Sequence, residues 1–264
     1  MSAAPGRQRS LVVPAFAALG ALFFAVPLLG LLRRASWSTL VADLSLPESI
    51  SALRLSLLCS LSATALAVLF GFPLALLLAR GRFWGRSLLR GLVLLPLVLP
   101  PVGGGIALLT AFSRTGIVGE YLYEWFGLQL TFSTAGVILA ETFVALPFFV
   151  ITVEAGLRSF DSQFEDVART LGAGPGETFR RVTLPIIAPS VIAGTVLAWA
   201  RALGEFGATI TFAGNIIGRT QTLPLAIYAQ LESDPDAAIA LSLVLLSISL
   251  AILISLREKW LRPI

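Results

Sequence analysis

Arg201 and Glu205 stand four residues apart in an apolar run, which puts a guanidinium and a carboxylate on one face of a helix. Charges at membrane depth ordinarily face a protein interior or a watery cavity. Arg201 with Thr209, Thr211 and Asn215 could offer hydrogen-bond donors to a passing anion, which Glu205 would oppose. Gly204 and Gly207 flank the pair and permit close packing or bending. From Pro185 to Arg201 a helix rises roughly 24 Å, which places Arg201 in the outer part of a bilayer. Two readings stay open: a structural ion pair near the interface, or a polar constriction on a solute path. Glu141 is a third buried charge, either paired with an arginine or facing the outer interface.

A second polar feature is the stretch Ser162–Pro185, SQFEDVARTLGAGPGETFRRVTLP. Ser162 followed by Glu165 has capping-box spacing and predicts a helix start. Phe164, Val167, Ala168 and Leu171 fall on one apolar stripe. Gly172 predicts the left-handed stop, Gly174–Gly176 a turn, and 177–183 a second short helix before Pro185 opens the next span. A helix lying on lipid should be basic on its polar face. This one carries Asp161, Glu165 and Asp166 against Arg169, so a protein groove is the better partner.

Other chemistry is excluded by what the chain lacks. It has no histidine and one cysteine, Cys59, which removes the commonest general base, a disulfide framework and a thiolate metal cage. No Gly-x-x-x-x-Gly-Lys-[Ser/Thr] loop occurs. The nearest approach, Gly172–Thr178, sets Glu177 where a phosphate-binding lysine is needed. The expectation is a chain that is not an enzyme and binds no cofactor itself.

The elements that must position these residues are membrane spans. Only 13% of the 264 residues are charged against 56% hydrophobic, about half the charge of a soluble domain. Six apolar stretches reach spanning length: 11–32, 50–79, 88–112, 135–153, 186–208 and 237–256. The first exceeds a signal core and is followed by Arg33-Arg34, so it is expected to remain as an anchor. Arg7 and Arg9, Arg80 to Arg90, Arg158 to Arg181, and Arg257, Lys259 and Arg262 fall on one side, which predicts both termini in the cytoplasm. Tyr121, Tyr123 and Trp125 suit the outer interface, Trp84 and Trp260 the inner one. Arginines at helix ends point to anionic lipid rather than nucleic acid. The third span holds Pro96, Pro100, Pro101 and Gly103–Gly105, so it is either a kinked structural helix or one lining a cavity.

Asp166-Val167-Ala168, three residues, Gly172, nine residues, then Val182-Thr183-Leu184-Pro185 resembles the coupling loop of ABC-transporter permeases, E-A-A-x3-G-x9-I-x-L-P. The chain departs from it by Asp for Glu, Val for Ala and Val for Ile. The resemblance implies that Glu165, Asp166, Val167, Ala168, Gly172, Val182, Leu184 and Pro185 seat in a cytoplasmic ATPase subunit, which carries ATP and magnesium. Gly204-Glu205-Phe206-Gly207-Ala208-Thr209 and the run Gly214–Tyr228 are similar to the molybdate-transport permeases. Sulfate and thiosulfate permeases share the first motif, and nothing separates tungstate from molybdate. This implies an all-α integral membrane permease with six transmembrane helices, the type I ABC importer (MetI-like) fold. It forms one domain over 1–264, with its core at about 50–256 and its coupling loop at 162–185. The implied setting is the bacterial inner membrane, with an extracytoplasmic molybdate-binding protein delivering solute. Arg201, Gly204, Glu205, Phe206, Gly207, Thr209 and Asn215 would line the path or gate. One chain has too few helices to enclose a path, which argues for a homodimer. An ion-gradient transporter would need ionisable residues spread over several spans, and here there are only Glu141 and the Arg201–Glu205 pair.

Overall fold

The structure, a computed structural model, describes residues 12–260, without the side chains of residues 253 and 255–260. Arg7, Arg9, Arg262 and the side chains of Arg257, Lys259 and Trp260, which weighed in the sidedness argument, lie outside the described residues. All regular structure among the described residues is helical. In chain order the helices are α1 (Val12–Arg34), α2 (Leu40–Leu44), α3 (Pro47–Arg80), α4 (Arg86–Val98), α5 (Pro101–Phe112), α6 (Gly119–Phe126) and α7 (Thr134–Ser159). They continue as α8 (Gln163–Thr170), α9 (Pro175–Thr178), a wide π turn (Phe179–Thr183), α10 (Leu184–Leu203), α11 (Gly207–Ala213), α12 (Leu223–Ser233) and α13 (Pro235–Trp260).

Helix α7 is the hub, packed against α3 on one side and α10 on another, and α3 and α10 also touch. Between helices in lipid, burial of apolar area gives little drive, so close packing of small residues must supply it. The buried face of α3 fits that demand, with Ala52, Ser56, Ser60, Ala63, Ala67, Gly71 and Ala75. Phe149 of α7 is fully buried in the resulting core. Polar ties accompany the packing: Trp199 Nε1 donates to Ser60 Oγ at 3.0 Å, and the Leu223 amide donates to Ser56 Oγ at 2.6 Å. Helix α1 stands apart, with no buried residue, and touches α13.

Five helical rods are long and apolar enough to cross a bilayer: α1, α3, α7, the continuous rod Pro175–Leu203 and α13 up to Ile252. The expected third span, 88–112, is instead two successive helices, α4 and α5, of 13 and 12 residues. Proline drives the residue before it out of helical conformation and offers no amide donor. The tandem Pro100-Pro101 does so twice, leaving Leu99 and Pro100 extended at ψ 134° and 140°. The expected fifth span, 186–208, is also redrawn: it starts earlier, at Pro175, and breaks at Gly204–Phe206 before α11.

The two breaks meet. Helices α5 and α11 pack together, and a Cβ on Gly207 would stand 2.6 Å from Pro101 Cβ. The contact continues where Gly105 faces Thr211. Overpacking of this kind costs about 1–3 kcal/mol. Gly207→Val is therefore expected to lower the thermal unfolding temperature in detergent. Gly91→Ala, at a position with nothing within 4 Å, should leave it unchanged. Equal behaviour of the two variants would contradict the contact.

Candidate functional site: a docking loop and a broken span

Helix α8 is turned with its acid inward. Glu165 is buried, whereas Phe164, Val167 and Leu171 are 55%, 58% and 83% exposed. The Glu165 carboxylate takes a 2.7 Å ion pair from Arg80, at the end of α3, and a short hydrogen bond from the Thr183 hydroxyl in the π turn. Arg169 reaches its other oxygen at 3.5 Å. Burial by itself would raise the Glu165 pKa. The hydrogen bonds from Thr183 and Arg80, with the charges of Arg80 and Arg169, outweigh that and hold it below its ordinary value.

The expected capping box is not formed. Ser162 has helical backbone, at φ −64° and ψ −16°, and makes no side-chain cap, while the Glu165 carboxylate that would close the box is committed to Arg80 and Thr183. Asp161 Oδ1 serves instead, accepting from the Gln163 amide at 2.9 Å. The stop is as expected. Gly172 has φ +87°, and the amides of Gly172 and Ala173 donate to Arg169 O and Ala168 O, the Schellman pattern. The second short helix expected over 177–183 is not separate: α9 and the π turn run straight into α10. Val182 and Leu184 are half-buried within this rod, and Pro185 is exposed well inside it, next after Leu184, rather than opening it. Among the described residues the exposed Asp166 pairs only with Arg169, at 3.2 Å.

At the other end of the rod Arg201 Nη1 binds Glu205 Oε2 at 2.6 Å. The pair does not lie on one continuous helix, since Glu205 sits in the break after Leu203. Its second oxygen accepts the Ala208 amide at 2.7 Å and so starts α11. The carboxylate is 1% exposed. Glu141 on α7 is also buried, and its Oε2 has no hydrogen-bond partner. It lies in electrostatic range of Glu205, and among the described residues no ion pair to an arginine forms. Thr209 is fully buried with its hydroxyl unpartnered, and Thr211 spends its hydroxyl on Gly207 O at 2.8 Å. Phe206 packs against Tyr228 with the rings tilted by 54° and centroids 5.1 Å apart. The break thus gathers Arg201, Glu205, Phe206, Gly207 and Thr209, while Gly204 is exposed and Asn215 lies exposed beyond Gly214.

The run Thr220-Gln221-Thr222 is framework: all three residues are buried, and Thr220 Oγ1 accepts the Ile216 amide at 2.9 Å. Sequence reasoning used Arg80 only as a sidedness marker and gave Thr183 no role. It also missed the second ionic node, where Glu154 of α7 binds Arg90 of α4 and, at 3.0 Å, Arg158. The signal available was the density of arginine after α3, which a lone acid inside an apolar span could have been matched to.

The bundle thus has two touching breaks, a buried ion pair beside them, and a rod running from that pair to the exposed apolar stripe of α8. The family model for the binding-protein-dependent transport system inner membrane component matches residues 67–263, and the chain belongs to that family. It is 51% identical over 253 residues to the molybdenum transport system permease protein ModB of Mycobacterium bovis, covering 95% of this chain and 94% of that one. It is 44% identical over 213 residues to the protein of the same name from Escherichia coli K12, covering 79% and 93%. A bacterial ABC transporter involved in the import of alginate superposes with TM-score 0.73 at 22% identity, covering 96% of each chain, which establishes the ABC importer permease fold.

The depressed Glu165 pKa fixes the sign of a pH effect. The tie contributes fully above the ordinary carboxylate range, about pH 4.3, and is lost as pH falls through the lower folded value. Glu165→Gln should lower stability at pH 7 by about 1–2 kcal/mol. The gap from the unsubstituted protein should close as the pH falls below about 4. Thermal unfolding against pH checks this, and a gap independent of pH would contradict it.

Proposed function

We propose that this chain is the membrane-spanning permease subunit of an ATP-driven importer for molybdate, working as a homodimer. Two ATPase subunits, which bind ATP and magnesium, dock on α8 from the cytoplasm. An extracytoplasmic binding protein delivers the oxyanion, and both termini face the cytoplasm. The observation that carries the reading is α8 itself: a helix whose acid is buried and whose apolar stripe faces outward. Such a stripe is what an amphipathic helix offers to a partner's groove. The 51% identity to the mycobacterial molybdenum permease supports the choice of solute.

The mechanical route follows the chain. Closure of the ATPase pair displaces α8, and two paths lead inward. One passes through Glu165 to Arg80 and so to α3. The other passes through Thr183 into the rod Pro175–Leu203, about 43 Å long, which ends beside the Arg201–Glu205 pair. Tilting that rod against α5, held at the Gly207–Pro101 contact, opens and shuts the path between the two copies. In the state seen here Arg201 is occupied by Glu205, so its charge is withheld from an anion. Only weak, transient contacts are needed if the binding protein does the selecting.

Two measurements test this. Cells lacking the chain should lose uptake of labelled molybdate, with tungstate competing and sulfate uptake intact; loss of sulfate uptake alone would overturn the solute. Gly172→Val, at φ +87°, cannot keep the loop's stop without strain of about 1–2 kcal/mol. It should reduce both co-purification of the ATPase and uptake. Unaltered association and uptake would remove the loop from the mechanism.

A further inference from the structure

At the docking-loop end of the bundle a cleft of about 510 Å³ opens between the ends of α3 and α7 and the starts of α4 and α8. Its wall carries four guanidinium groups, Arg80, Arg82, Arg86 and Arg169, with Glu165 as the one carboxylate and Ser162 as a hydroxyl. Even with Asp166 counted at the rim, the cations outnumber the acids. Arg80 and Arg169 divide their bonds with Glu165, and Arg169 also takes Asp166. Arg86 directs Nε and Nη2 to the last carbonyls of α3, at Leu78 and Ala79. Arg82 has no hydrogen bond or ion pair among the described residues, so its five N–H donors are free.

We infer that this cleft is a binding site for a phosphate-type anion, and that the anion is the headgroup of an acidic phospholipid. Guanidinium forks match phosphate oxygens and take them in pairs. Basic pockets between membrane helices are known receptors for acidic headgroups. The surroundings favour lipid over a soluble anion. Beside Arg82, Phe83 and Trp84 are exposed, Trp84 fully so, and the next helix presents Leu88 and Leu92 outward at 68% and 58% exposure. Exposed aromatic rings next to arginine mark the headgroup level, and exposed leucines on the adjoining helix mark the acyl level. A lipid standing there places its phosphate at Arg82, with Arg80 and Arg86 behind it. Because Arg80 also holds Glu165, the headgroup shares a cation with the tie that fixes α8. The inference does not depend on which solute is carried.

The test uses the full chain purified in detergent with equal phosphatidylglycerol and phosphatidylcholine, and native mass spectrometry of the retained lipid. Unsubstituted protein and an Arg114→Gln control, whose arginine stacks on Tyr123 elsewhere, should retain phosphatidylglycerol preferentially. Arg82→Gln should retain it about fivefold less, and Arg82→Lys should restore most of it. Equal retention of the two lipids, or no loss in Arg82→Gln, would overturn the site. Inorganic phosphate added to lipid-free protein forms the second arm. Binding there with the same Arg82 dependence would mean a soluble anion and overturn the lipid assignment. Thermal unfolding of Arg82→Gln in lipid-free detergent should match the unsubstituted protein, so that lost retention reports binding rather than folding.

Discussion

A carboxylate turned inward decides what the loop end of this molecule can do. Glu165 sits on a short helix that also carries an apolar stripe, and such a helix left to itself in water would bury the stripe and expose the acid. Here Arg80 and the Thr183 hydroxyl both bind the carboxylate, so the acid goes in and Phe164, Val167 and Leu171 go out. Charge-assisted bonds to a group this little exposed contribute more than a surface ion pair does. The tie also joins three elements that are far apart in sequence: the end of α3, α8 and the π turn leading into α10. Whatever grips the exposed stripe therefore pulls on two spanning helices at once.

The opposite end of the rod depends on backbone that is deliberately incomplete. Proline at 100 and 101 stops α4 and restarts α5, and Glu205 ends α10 by binding the amide that begins α11. Broken helices at membrane depth survive only where protein or water surrounds the freed groups. Each break shelters the other, through the Gly207–Pro101 contact. A joint of two short helices, α5 and α11, can shift as a unit without unravelling a long helix.

Much of this was legible in the residues, and the misses have common physical causes. The all-helical membrane architecture followed from apolar length, and an irregular third span from proline chemistry, but of the six spans expected five are long enough to cross, the third being split into two short helices at Pro100-Pro101. The stop at Gly172 followed from its need for positive φ, which the structure bears out. The capping box failed because Ser162 is itself helical, and because local spacing cannot reveal that the Glu165 carboxylate has a partner 85 residues away. The second short helix merged with α10 because the π turn over Phe179–Thr183 lets the rod continue where the prolines suggested a new start. At the second break Arg201 and Glu205 do pair, but the pairing crosses the end of α10, with Glu205 also binding the Ala208 amide at the start of α11. Glu141 was read as a buried charge, but neither of the two settings offered for it foresaw a buried oxygen with no partner, since its environment comes from packing of α7 against α11.

The central claim, that the stripe of α8 faces outward and is covered by an ATPase subunit, can be read from one position. Cys59, the chain's single cysteine, is buried, so Val167→Cys would add the one reactive thiol. In inside-out vesicles a membrane-impermeant thiol reagent should label residue 167 rapidly in the permease alone and slowly once the ATPase subunit is bound. A residue 167 that resists labelling without the ATPase, or labels equally fast with it, would contradict the account.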